Sequence, residues 1–369
     1  MKLFWLTVPL LLLSLVWFYL SCIIRRGIHY FRKKISAKNE KVAAMAASVL
    51  VLLASFVIGG IWLMFLLHFA AVMLVLDLVR LIVGRFRKKG WPVLWERIYY
   101  SGAAAALAAV LILSYGFWNM THVVKQEYTV EVDKSIRPEG YRIGLISDLH
   151  FGTSMHAKQL QSAAERIAQE KPDFVLLDGD IVDESTSLEE MREAFAILGD
   201  IPAPYGVYFV YGNHDRSLYS RNPHYTPKQL AAEIEKSGII SLEDSYAKIG
   251  GELLLIGRAD RSGPRSSAAG LAARLDPEKV LVLADHQPCE YEEARAAGYD
   301  LILSGHTHGG QIWPGAAVAM LLSFDDMNYG YERFGGLQAI VTSGIAGWGF
   351  PVRTQRHSEF VMIKLEGAT

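Results

Sequence analysis

The hydrophobic residues of this chain are concentrated before residue ~120, and that asymmetry limits the fold more than any other feature. From Leu3 to Ile24 no residue is charged, about the ~20 residues that a bilayer-spanning helix needs. A cleaved signal peptide is the competing reading. The length of the run, the lack of a small-residue cleavage site before Arg25-Arg26 and the apolar segments that follow argue against it. Residues 42–83 are long enough for two crossings, with Gly59-Gly60 as the natural break and only Asp77 and Arg80 charged, near the far end. A fourth segment, Ile98 to Trp118, is rich in alanine and leucine and is flanked by Trp95 and Trp118 like an interfacial belt. The expected plan is a transmembrane region over 1–120 with about four helices (3–24, 42–59, 61–83 and 98–118), a connector over 121–140 and a second domain over 141–369.

Basic residues set the expected orientation. Arg25, Arg26, Arg32, Lys33, Lys34, Lys38 and Lys41 fill the first connection, and Arg85, Arg87, Lys88 and Lys89 the third. The positive-inside bias keeps both in the cytoplasm, so the amino terminus and everything after ~120 lie outside. If 42–83 crossed only once, with a buried or re-entrant remainder, the second half would be cytoplasmic instead. Asp77 with Arg80 reads as an interfacial pair that snorkels rather than an intramembrane functional pair. His68 reads as a packed or hydrogen-bonded histidine. Transport through the helices lacks the intramembrane charges it usually needs.

The chain has 369 residues and a formal net charge of -1, which argues against a nucleic-acid partner. Cys22 and Cys289 lie far apart and form neither a disulfide framework nor a metal-type pair.

After residue ~140 strand and helix patterns alternate, which implies a layered α/β domain. Strand-like runs end in polar clusters: Tyr141–Ser147 in Asp148-Leu-His150, Phe174–Leu177 in Asp178-Gly-Asp180 with Asp183 beyond, and Tyr205–Tyr211 in Gly212-Asn213-His214-Asp215. Val280–Ala284 ends at Asp285-His286, and Leu301–Leu303 leads to Gly305-His306-Thr-His308. Ligands of such sheets collect at the carboxyl ends of strands, where each of these clusters falls. Any one of them reads equally well as a cap or a turn. All of them, in order, do not.

Asp148, His150, Asp180, Asn213, His286, His306 and His308 form an oxygen-and-imidazole set without thiolate. Seven such donors suit two adjacent divalent metals better than one. Manganese fits first, with iron or zinc as alternatives, and the lack of cysteine argues against a structural zinc knot. A two-metal site generates hydroxide at neutral pH and neutralises a phosphoryl group during in-line displacement.

These motifs resemble the calcineurin-like metallophosphoesterase superfamily. Gly305-His-Thr-His-Gly-Gly-Gln311 and Pro351-Val-Arg353 before Glu359 are similar to the branch of membrane-associated bacterial phosphoesterases of the YkuE/YaeI type, some of which cleave UDP-diacylglucosamine. The resemblance covers about Tyr141 to Leu365. It implies a four-layer α/β/β/α sandwich, with Asp148, His150 and His308 on one metal, Asn213, His286 and His306 on the other, and Asp180 between them. It further implies that His214 contacts the phosphate and protonates the leaving oxygen, that Asp215 orients and polarises His214, and that Asp183 stands behind the ligands. Metal-bridging hydroxide would attack, with no protein nucleophile.

Arg216 is a candidate phosphate contact or a solvated arginine. The apolar run Ala316–Phe324 reads either as a core helix or, with Trp348 and Phe350, as a wall that accepts a lipid tail at the bilayer surface. The expectation is a multi-pass cell-membrane enzyme with an extracytoplasmic catalytic domain. It would hydrolyse a phosphomonoester or phosphodiester, lipid-linked or part of the cell envelope, in contact with membrane lipids. The rival is a membrane sensor or interaction protein that keeps the metal site as a binding module.

Overall fold

The computed structural model describes residues 2–32, 35–87, 90–322 and 325–367, and the side chains from residue 13 onward within that range. Lys33, Lys34, Lys88, Lys89 and Phe324, which entered the sequence reading, lie outside the described residues. The chain divides into two compact units, Met1–Tyr115 and Gly116–Thr369.

The first unit is helical: α1 (Lys2–Phe31), α2 (Ala37–Ile58), α3 (Gly60–Phe86), α4 (Val93–Ser101) and the start of α5 (Ala103–Thr121). Among the described residues α2, α3 and α5 are long and apolar enough to cross a membrane. Helix α1 continues past Arg25-Arg26 to Phe31, beyond the expected end at Ile24. Gly59, at φ 92, separates α2 from α3 at the expected break. The single segment expected over 98–118 is instead two helices. Gly102 takes a left-handed conformation, φ 72, that ends α4 and lets α5 start afresh. Asp77 does not pair with Arg80. It accepts from Arg26 of α1 at 2.9 Å and from the Tyr19 hydroxyl at 2.7 Å, whereas Arg80 reaches Glu96 at 3.5 Å and stands over the Tyr99 and Tyr100 rings. His68 is buried, with Nδ1 hydrogen-bonded to the Met64 carbonyl at 2.8 Å.

The second unit runs β1 (Val124–Val132), β2 (Tyr141–Ile146), α6 (Ala157–Gln169), β3 (Phe174–Asp178), α7 (Leu188–Gly199), β4 (Val207–Val210), α8 (Pro227–Lys236) and β5 (Ile240–Ser241). It continues through β6 (Ser245–Ile249), β7 (Leu253–Gly257), α9 (Ala268–Ala272), β8 (Val280–Ala284), α10 (Tyr291–Ala296), β9 (Leu301–Ser304), α11 (Gly315–Leu322), β10 (Gly330–Phe334), β11 (Leu337–Val341) and β12 (Glu359–Gly367). Among the described residues these strands form two six-stranded sheets, ordered β1-β12-β2-β3-β4-β5 and β10-β11-β9-β8-β7-β6. Within them β2, β3, β4 and β5 are mutually parallel, as are β7, β8, β9 and β11. The strand in the expected connector is therefore no linker: β1 lies parallel to β12 along its whole length and forms a sheet edge.

Alternation along each buried strand assigns its two faces to two different cores. Phe174 and Leu176 of β3 face a core shared with Leu255, Val282 and Leu303 of the other sheet, while Val175 and Leu177 face α6 and α7 through Leu160, Ile167, Met191 and Phe195. Leu281 and Leu283 of β8 pack with Ala268, Tyr291 and Ala294 on the far side. The result is a four-layer α/β/β/α sandwich.

Candidate metal centre

The polar clusters of the sequence meet at one end of this sandwich. Asp148 follows β2, Asp180 follows β3 and Asn213 follows β4, all from one sheet. His286 follows β8 and His306 follows β9, from the other. Asp148, His150, Asp180, His306 and His308 all have positive φ, between 43° and 69°. Non-glycine residues avoid that region, and a run of them signals backbone held for function. Two glycines allow the close approach. A Cβ on Gly305 would meet Asp148 Oδ2 and the Ser147 side chain, and one on Gly212 would meet the Asp180 carboxylate.

Asp148, His150 and His308 form one group of candidate donors, and Asp180, His286 and His306 a second, with the ligand atoms of each group within 4.8 Å of one another. Asp180 Oδ2 lies 3.1 Å from His286 Nε2 and 3.8 Å from His150 Nε2, so it faces both groups. Asn213 is buried, and its Oδ1 accepts from Gln287 Nε2 at 3.3 Å.

The donors fit metal ions. His150 Nδ1 is directed at Asp183 Oδ2, 3.2 Å away, and His286 Nδ1 donates to the Asp178 carbonyl at 2.7 Å. On the opposite side, His150 Nε2 is buried with no hydrogen-bond partner among the described residues, and His286 Nε2 faces the Asp180 carboxylate at 3.1 Å. An imidazole anchored through one nitrogen and bare at the other is how histidine presents itself to a metal. Burial, then repulsion from His286, lowers His306 to about 4, so its ring is neutral at physiological pH. His308 is likewise depressed by burial and by His150. Burial opposes protonation of His286 too, but the carboxylates of Asp180, Asp148 and Asp178 outweigh it and raise its pKa.

The structure places two other residues differently from expectation. Asp215 is not directed at the His214 ring. Its carboxylate accepts the backbone N–H groups of Asp180, Ile181, Val182 and Gly212 at 2.8, 2.9, 3.2 and 2.6 Å, and so knits the loop after β3 to the loop after β4. Arg216 pairs with Glu243 at 2.8 Å and lies over the Tyr211 ring. The His214 ring instead pairs with Glu184, whose Oε2 lies 2.8 Å from Nδ1. Burial lowers the His214 imidazole, but Glu184 and Asp180 outweigh it and leave its pKa raised. Glu184 stands one residue beyond the Gly-Asp-x-x-Asp pattern, so the motif did not point to it. Arg353 is fully buried and donates to the carbonyls of His308, at 2.9 Å, and Ala346.

Imidazoles and carboxylates thus gather between the strand ends of two facing sheets in two groups that could each hold a metal ion. The family model for calcineurin-like phosphoesterases matches residues 141–310. A metallophosphoesterase of Campylobacter jejuni, described as uncharacterized, is 26% identical over 79% of this chain and 76% of its own length. The metallophosphoesterase YkuE of Bacillus subtilis is 28% identical over 57% of this chain and 73% of its own. A transmembrane protein with metallophosphoesterase domain from Danio rerio is 30% identical over 72% of this chain and 62% of its own. The chain is a metal-dependent phosphoesterase with apolar amino-terminal helices, and a membrane protein.

Proposed function

We propose that this enzyme hydrolyses a lipid-linked or cell-envelope phosphomonoester or phosphodiester at the outer face of the membrane, using two divalent ions, manganese first. Asp148, His150 and His308 would hold one ion, Asn213, His286 and His306 the other, and Asp180 would serve both. When bound, such a pair supplies an activated water at neutral pH and offsets the charge of the phosphoryl group. The observation that carries this reading is the position of Asp180 Oδ2 between His150 Nε2 and His286 Nε2.

The protein's own groups divide the remaining work. Asp183 and the Asp178 carbonyl hold the rings of His150 and His286 in register. Asp215 holds the backbone that carries Asp180. His214 gives a proton to the ester oxygen that leaves. Exposed apolar side chains support a lipid substrate: Met320 and Leu321 of α11 are 70% and 82% exposed, and Trp313 and Trp348 are half exposed. Trp348 also lies against the His214 ring, with centroids 5.3 Å apart.

The test is hydrolysis by detergent-solubilised protein of bis-p-nitrophenyl phosphate and of an extracted membrane-lipid mixture. Chelation should abolish turnover, manganese should restore it, and Asp180→Ala should lose at least ~10²-fold, as expected when a group stabilising the transition state is removed. Metal-loaded protein silent on both substrates contradicts the reading.

A further inference from the structure

Four carboxylates crowd the loops around His214, and three of them are committed elsewhere. Asp180 turns Oδ2 to His286 and accepts the His214 backbone N–H on Oδ1 at 2.8 Å, leaving the ring alone. Asp183 faces His150 Nδ1 with Oδ2 and accepts from the Ser185 N–H and hydroxyl on Oδ1, at 2.8 and 2.6 Å. Asp215 spends both oxygens on backbone N–H groups. Glu184 alone among these four reaches the His214 ring, at 2.8 Å from Nδ1. The two side chains are only 21% and 15% exposed, so the contact is sheltered from water. The second Glu184 oxygen, Oε1, is buried with no hydrogen-bond partner among the described residues.

A carboxylate only accepts, so Nδ1 must carry the hydrogen in this contact. Nε2 is then the nitrogen left to face an ester. The ring is also hemmed in by His150, Tyr219 and Trp348, with centroids at 5.4, 5.3 and 5.3 Å.

We infer that Glu184 is a positioning residue: it locks the rotation of the His214 imidazole and its Nδ1–H, so that Nε2 serves the leaving group. The assignment rests on the phosphoesterase reading above. As the oxygen of water bonds to phosphorus and gives up a proton to solvent, the bond from phosphorus to the ester oxygen breaks and its electron pair stays on that oxygen. The proton on His214 Nε2 goes to the oxygen, and water restores it to the imidazole after product leaves. Glu184 exchanges no proton in this sequence. It sets which nitrogen acts and where that nitrogen points.

The experiment compares full-length, detergent-solubilised wild type with E184A, E184Q, H214A and the E184A/H214A double variant. Substrates are aryl phosphate esters graded from p-nitrophenol to unsubstituted phenol as leaving group. Help from a proton donor matters most for the poorest leaving group and is worth roughly 10²-fold or more there. E184A should therefore reproduce the steep leaving-group dependence of H214A, losing phenyl ester turnover far more than p-nitrophenyl turnover, with KM little changed. The double variant should be no worse than H214A, because both substitutions remove one function. E184Q, whose amide oxygen still accepts from Nδ1–H, should recover most of the loss. An E184A variant that slows every ester alike, adds to H214A, or matches wild type would overturn the assignment. Crystal structures of wild type and E184A supply a readout independent of turnover. A His214 ring that rotates away in E184A supports the assignment even if no test ester is cleaved, and a ring unmoved in E184A overturns it.

Discussion

Asp215 is the residue where motif and structure part most clearly. Next to a histidine in Gly212-Asn213-His214-Asp215 it reads as that histidine's partner, yet four backbone N–H groups converge on it. Adjacency along a chain says nothing about which way a side chain turns at a sharp loop, and two neighbours there commonly point apart. Asp183 and Glu184 repeat the lesson: one faces His150 and the other His214. The consequence is measurable. Asp215→Asn sets an NH2 group against N–H donors and strands at least one of them, at a cost of roughly 3 kcal/mol or more, given the strength of hydrogen bonds to charged groups. Detergent-solubilised D215N should melt several degrees lower and hold less metal, as seen by calorimetry and elemental analysis. A melting temperature within a degree of wild type would contradict this account. The seven expected donor positions stand out in the sequence for a different reason. Each stands just past an apolar run, where packing has no use for a polar side chain.

At the scale of elements, periodicity served the helices that have a polar face. Helix α7 buries Met191, Ala194, Phe195 and Leu198 on one side and starts at Ser187, whose hydroxyl accepts the Glu190 N–H at 3.2 Å while Glu190 returns a bond to Ser187 N at 2.9 Å. Losing such a capping box costs about 1 kcal/mol, so Ser187→Ala should lower stability by that amount in chemical denaturation, with turnover intact; no change would show the cap to be idle. Periodicity failed for α11, because Ala316–Leu322 is apolar all round and names no inward face. In the structure Ala316 is buried whereas Met320 and Leu321 face outward. If that face meets lipid, replacing Met320, Leu321 and Leu322 by serine should spare bis-p-nitrophenyl phosphate and abolish lipid turnover. Equal loss of both would sink the idea. The break at Gly102 was missed because alanine and leucine continue on either side of it, and only the left-handed backbone there reveals two helices.

For the whole molecule, we propose that the phosphoesterase lies on the outer side of the membrane. That proposal rests on the basic residues flanking the apolar segments, with 3–24, α2, α3 and α5 as the expected crossings. An alkaline phosphatase reporter fused at Thr369 is active only outside the cytoplasm and should be active here. A β-galactosidase fusion at the same place should be silent. The reverse pair of signals would reverse the topology. The sequence by itself determined where the apolar and α/β parts of the chain lie, the strands that end in the polar clusters, and which polar residues stand at those ends. Those properties are written in hydrophobic patterning and in residue chemistry, which are local. Only the tertiary structure decided that β1 completes a sheet from inside an apparent linker, that Asp180 Oδ2 faces both donor groups, and that Glu184 rather than Asp215 holds His214. Each of those depends on residues far apart in the chain, or on the turn of a side chain at a loop, and neither is encoded in the spacing of a motif.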